Sequence, residues 1–140
     1  MRLRLPSNLL DVARAGAAVR EFAQAAGLET SAIDDLELAT VEAANNIILH
    51  GYHGADDRSY AVVIYAWANE VRVVLIDRGD RIPELVLAQT ALEWNIDDES
   101  GRGMAIIKAC TDRMEYTCLR GRSRMLLAKR LPAPPAEPDL

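Results

Sequence analysis

The sequence predicts an α+β protein, a two-layer α/β sandwich with helices grouped on one face of a mostly antiparallel sheet. Three observations carry this. The order of elements is strand, two helices, two strands, an irregular segment, a helix and two strands, whereas a doubly wound parallel sheet needs strand and helix to alternate throughout. Two pairs of β-branched and aromatic runs are separated by short polar turns and read as antiparallel hairpins. Finally, 140 residues that are 50% hydrophobic but only 5% aromatic describe one aliphatic, alanine-rich core, large enough to fold without a disulfide or metal staple.

Met1 to Pro6 alternates Leu3 and Leu5 with Arg2 and Arg4, which suits a short edge strand ending at proline. Ser7 or Asn8 then caps a helix over Leu9 to Ala26, and Gly27 supplies its stop. Thr30 or Ser31, with Asp34 and Asp35 behind it, starts a second helix that runs to Leu49 or His50 and ends at Gly51. His53 to Ser59 is a loop by composition. Tyr60–Trp67 and Val71–Ile76 form the first hairpin, turning at Asn69-Glu70, and the second of these strands is apolar enough to be central. Pro83 to Glu99 is irregular, with a short helix around Leu85 to Leu92. Ser100-Gly101-Arg102-Gly103 precedes a helix over Met104 to Cys110. Met114–Leu119 and Ser123–Leu131 make the second hairpin, turning at Arg120-Gly121-Arg122. The organisation expected is therefore one domain over 1–131 and a proline-rich disordered tail over 132–140.

Composition removes several function classes. A net charge of −5 and a pI near 5.0 argue against nucleic-acid binding as the main task. No stretch approaches the roughly 20 apolar residues of a membrane span, and the opening residues lack a secretory signal, so a cytoplasmic location with reduced thiols is expected. Cys110 and Cys118 have no framework spacing, and no cysteine near His50 and His53 completes a zinc set.

Three features can carry chemistry. On the second helix, with Leu36 as origin and roughly 100° per residue, Ala43 and Ile47 fall within about 20° of the core direction, while Glu42, Asn46 and His50 fall near about 240°, 280° and 320°. They form one polar stripe at the border of the core, whereas Asn45 points elsewhere. A carboxylate one turn from an amide places a base beside a neutral oxygen ligand, as a hard cation and a nucleophilic hydroxyl require. Next, Asp77 ends the central strand with Gly79 two residues on; the carboxylate can accept from an exocyclic amine and the glycine lets a flat ring approach the backbone. Last, Gly101-Arg102-Gly103 before a helix offers backbone N–H groups and a positive helix end to an anion. Each feature alone is equally well explained by ordinary helix flanks and turns. No G-x-x-x-x-G-K-S/T is present, which excludes a P-loop.

Taken together and in order, Glu42-x-x-x-Asn46 within LELATVEAANNIILHGY, Asp77-x-Gly79 and Gly101-x-Gly103 resemble the N, G1 and G2 boxes of the GHKL or Bergerat-fold ATPases. The GY after His50 and the run ESGRGMAIIKACTDRMEY followed by a hairpin look like the anti-sigma factor serine/threonine kinases of that superfamily. The resemblance implies that Glu42 is the catalytic base and Asn46 the Mg²⁺ ligand. It implies that Asp77 binds the amino group of adenine, helped by Ser123, with Gly79 and Ile82 along the ring. Gly101, Arg102, Gly103 and Met104 would lie at the phosphates, and His50 one turn past the asparagine. ATP and Mg²⁺ are the cofactors so implied, and the partners are a sigma factor, a STAS-domain anti-anti-sigma factor and a second copy of the chain. Arg81 replaces a second glycine that many relatives carry after Asp-x-Gly, so a stiffer hinge is expected there, and Asp97-Asp98-Glu99 stand where some relatives place an arginine. The competing reading is a switch protein that binds ATP or its partners without phosphotransfer.

Overall fold

The structure, a computed structural model, describes residues 1–88, 99–134 and 138. Strands β1 (Arg2–Pro6), β2 (Ser59–Trp67), β3 (Glu70–Asp77), β4 (Arg113–Leu119) and β5 (Arg122–Arg130) form one antiparallel sheet in the order β1-β2-β3-β5-β4. Helices α1 (Val12–Ala25), α2 (Thr30–Asn46), α3 (Glu84–Leu87) and α4 (Glu99–Ala109) complete the fold. The expected two-layer α+β architecture is therefore present, with β3 central and β1 at an edge.

The sheet faces the helices through alternate residues. Leu5 opposes Tyr60, and Val73 and Leu75 oppose Leu127 and Met125; all are buried together with Leu36, Ala43, Ile47, Met104 and Ile107 from the helices. Small residues let α1 and α2 approach closely: a Cβ on Gly16 would meet Val41 Cγ2 at 3.1 Å. Asn8 caps the 3₁₀ turn Leu9–Asp11 that leads into α1, its Oδ1 accepting from Leu10 N at 3.0 Å. Gly27, at φ +88°, ends α1 in a conformation that costs glycine nothing.

Four local features differ from the sequence expectation. The first hairpin turns at Ala68-Asn69, both at positive φ (50° and 63°), as a two-residue primed turn demands, so β3 starts at Glu70. Helix α2 does not run uniformly to His50; after Asn46 it widens into a π turn over Ile47–Gly51, with Tyr52 N donating five residues back to Ile47 O at 2.8 Å. The short helix after Pro83 spans Glu84–Leu87, and its expected continuation past Ala88 falls on residues 89–98, outside the described residues. Helix α4 starts at Glu99, so Gly101-Arg102-Gly103 lies within the helix rather than in a loop before it.

Candidate functional site

Two adjoining clefts open beside the C-terminal half of α2. The first, about 250 Å³, is lined by Asn46 and His50 from α2 and its π turn, Asp77 from β3, Ile82 beyond it, and Tyr116 and Met125 from the facing strands. The second, about 360 Å³, is lined by Glu42, Asn46, His50, Arg102 and Gly103. Asn46 and His50 wall both, so the polar stripe expected from helical periodicity stands between a mostly apolar cleft and a more polar one.

Asp77 reaches its place because β3 turns Val71, Val73 and Leu75 to the helices and Asp77 follows on the same face. The apolar row thus ends in a carboxylate with 8% exposure. Burial pushes its pKa up, and the Gly79 N–H that donates to Oδ1 at 2.9 Å partly opposes the shift. Across the sheet Asp77 is in register with Ser123. The Tyr116 hydroxyl donates to Ser123 Oγ at 3.1 Å and accepts from Ile82 N at 3.0 Å, which fastens the segment after β3 to the sheet. Cys118 Sγ lies 3.2 Å from the same Ser123 oxygen.

In the second cleft, a Cβ on Gly103 would meet Asn46 Nδ2 and Oδ1 at 3.2 and 3.3 Å and Glu42 Oε2 at 3.3 Å. The carboxylate and the amide of α2 therefore stand side by side, and α4 approaches them through a position that has no side chain. Arg102, next in sequence and exposed, borders the same cleft.

The structure thus brings Glu42, Asn46, His50 and Gly103 together, and groups Asn46, His50, Asp77 and Ile82 in the adjoining cleft. Gly79, Gly101, Met104 and Ser123 line neither cleft. A Cβ on Gly79 would stand 2.6 Å from Gly51 C and O, so this glycine is needed for backbone packing against the π turn. Met104 is fully buried in the core, and Gly101 is buried within α4. Ser123, 3% exposed, reaches the site through Tyr116.

Three contributors carry little sequence signal. Gly51 reads only as a helix stop, yet its carbonyl accepts from Asp80 N at 2.8 Å and holds the turn against the end of β3. Tyr52 reinforces that junction, accepting from Arg78 N at 3.0 Å and donating to Ser59 O at 2.7 Å. Tyr116 looks like any aromatic in a strand until register sets it beside Met125.

An α/β sandwich with an Asp-ended central strand and a carboxylate–amide stripe on the neighbouring helix defines the class of the protein. The family model for the histidine kinase-like ATPase domain matches residues 5–128, and the chain belongs to that family. It is 25% identical over 132 residues to an anti-sigma F factor of Clostridium beijerinckii, covering 93% of this chain and 92% of that one. It is 26% identical over 135 residues to an anti-sigma F factor of Clostridium novyi (strain NT), covering 94% of each. Among solved structures it resembles the RsbU and RsbW domains of Rv1364c from Mycobacterium tuberculosis, with a TM-score of 0.63 and 23% identity. That match covers 96% of this chain and 33% of the other, so the chain spans about a third of that protein, and the likeness is one of fold. No helix among the described residues is long and apolar enough to cross a membrane.

Proposed function

We propose that the chain is a cytoplasmic, homodimeric anti-sigma factor and ATP-dependent serine/threonine kinase, which binds a sigma factor and phosphorylates a STAS-type anti-anti-sigma factor. The observation that carries the reading is the pairing of Glu42 with Asn46 against Gly103, in a cleft joined by Asn46 and His50 to one that ends on the buried Asp77. Relatives matched over nearly their full length and named anti-sigma F factor support the partner class.

The residues fit a magnesium nucleotide. Magnesium beside phosphates keeps several waters and takes one or two protein oxygens, a demand that Asn46 Oδ1 meets. Bound there, the ion would neutralise phosphate charge and orient the transferring group. Asp77, with one oxygen held by Gly79 N–H, accepts from an exocyclic amine, and Ile82, Tyr116 and Met125 give a flat ring an apolar bed. Glu42 takes the proton of the acceptor hydroxyl, Gly103 leaves room beside it, and Arg102 adds charge at the rim. Positioning and charge neutralisation supply most of the barrier reduction in such transfers, so one base and one metal ligand suffice.

Isothermal titration checks the cleft directly. Mg-ATP should bind saturably, and Asn46→Ala should weaken it about tenfold or more in magnesium while changing little in EDTA, because the amide acts through the ion. Absence of binding, or equal loss with and without magnesium, would contradict the assignment.

A further inference from the structure

We propose that one end of the sheet's outer face, the face turned away from the helices, docks an acidic peptide segment of a partner protein. The patch adjoins the first nucleotide cleft at Asp77, which also lines one groove, but its arginines line neither cleft. Two grooves there, of about 430 and 480 Å³, share Arg78 and Arg122 and so run into one another. Arg2, Arg4 and Arg58 line one side, and Arg120 and Arg124 the other. All seven arginines are exposed. Among the described residues the one ion pair they make is Arg58 with Asp57 at 3.8 Å.

Charges elsewhere are used differently. Arg72 and Arg113 share Glu70, Arg20 holds Asp34 and Glu37, and Lys129 lies 3.2 Å from Asp35. A chain of net charge −5 that pairs those cations yet collects on one patch six arginines without an ion pair among the described residues, and a seventh paired only with its neighbour Asp57, accepts self-repulsion there. Partner carboxylates relieve that repulsion, and arginine's planar fork binds a carboxylate through two parallel hydrogen bonds.

The apolar content of the patch selects a peptide. Leu119, 74% exposed, stands among Thr117, Arg120, Arg122 and Arg124, and the half-buried Ile76 lines the neighbouring groove. A leucine and an isoleucine between arginines suit a segment with both acidic and aliphatic side chains, and give a phosphodiester backbone nothing to bind. A second copy of the chain is disfavoured, because two-fold pairing through this patch sets its arginines against themselves. From β1 to β4 the sheet spans four strand spacings, roughly 19 Å, which an extended segment covers in about six residues.

The test is fluorescence anisotropy with a labelled octapeptide of alternating glutamate and leucine, titrated with the full chain at physiological salt. Saturable binding is expected, weakened about tenfold or more by Arg122→Glu with Arg124→Glu, and likewise by Arg2→Glu with Arg4→Glu on the opposite rim. Arg130→Glu, at the far end of the same strand, should change binding little. Circular dichroism confirms folding, and either double variant alone suffices if the other does not fold. The proposal is overturned if the peptide does not bind, if the charge reversals leave binding intact, or if a short DNA duplex binds more tightly and is lost in the same variants.

Discussion

A carboxylate at the end of an apolar strand row is poorly placed for its own stability. Asp77 carries the cost of desolvation in the free protein, partly offset by a single backbone N–H. Its pKa lies above that of an unfolded chain, so folding takes up a proton between the two values, and stability is greatest below the ordinary carboxylate pKa and falls as pH rises through the folded value. Asp77→Asn keeps an oxygen for Gly79 and removes the charge. At pH 7 the variant should therefore melt no lower than the parent, and the difference should shrink as pH falls through the raised pKa. On the proposed assignment of Asp77 to the adenine amine, ATP affinity should drop about tenfold or more in the same variant, because that acceptor is altered. A lower melting temperature at pH 7 would show that Asp77 is held for structure instead. The placement of Glu42, Asn46 and Asp77 at adjoining clefts is legible in the sequence, since helical period and strand alternation are local geometry. Gly51, Tyr116 and the true contact of Gly79 are not, because each depends on a partner at least 28 positions away that only the folded chain brings near.

Between elements, the outer face of the sheet shows how charge closes a gap that no helix covers. Glu70 on β3 accepts from Arg113 Nη2 on β4 at 2.9 Å, and its Oε1 lies 2.8 Å from Arg72 Nη2. The ionic arch spans β5 at Ala128, which pairs with both arginines and is fully buried beneath it. The Arg113 guanidinium above all, and then Arg72, holds the Glu70 carboxyl below its usual range against the opposing effect of burial. Its contribution is present above the ordinary pKa and is lost as pH falls through the depressed one. Glu70→Gln should cost about 1–3 kcal/mol in urea unfolding at pH 7, with the gap from the parent closing as pH falls through the depressed Glu70 pKa. A gap that stays constant with pH would remove the ionic arch as its cause. Element types and order follow from periodicity, whereas two boundaries do not. The widening of α2 after Asn46 leaves its 3.6-residue pattern almost undisturbed, and two glycines read as a loop because glycine disfavours helix. In the structure Gly103 sits inside α4, where a Cβ would press on the Asn46 and Glu42 side chains at 3.2–3.3 Å.

Over the whole molecule, the sum of −5 conceals a segregation of charge. Residues 83–99 hold Glu84, Glu93, Asp97, Asp98 and Glu99 without a lysine or arginine, while one end of the sheet gathers arginines with few carboxylates. The acidic stretch is visible in the sequence because it is contiguous. The basic surface is not, since its arginines come from the first strand, the second hairpin and the segments on either side of the first hairpin, and only strand order assembles them. The α+β class was legible for the opposite reason: it depends on the order of elements rather than on which residues meet. The most direct test of the proposed activity is phosphate incorporation, followed by mass spectrometry, into a cognate STAS-domain protein incubated with the chain and Mg-ATP. One phosphate on a single serine or threonine is expected, at a rate that Glu42→Ala lowers at least about a hundredfold; no transfer, or equal transfer by the variant, would contradict the account.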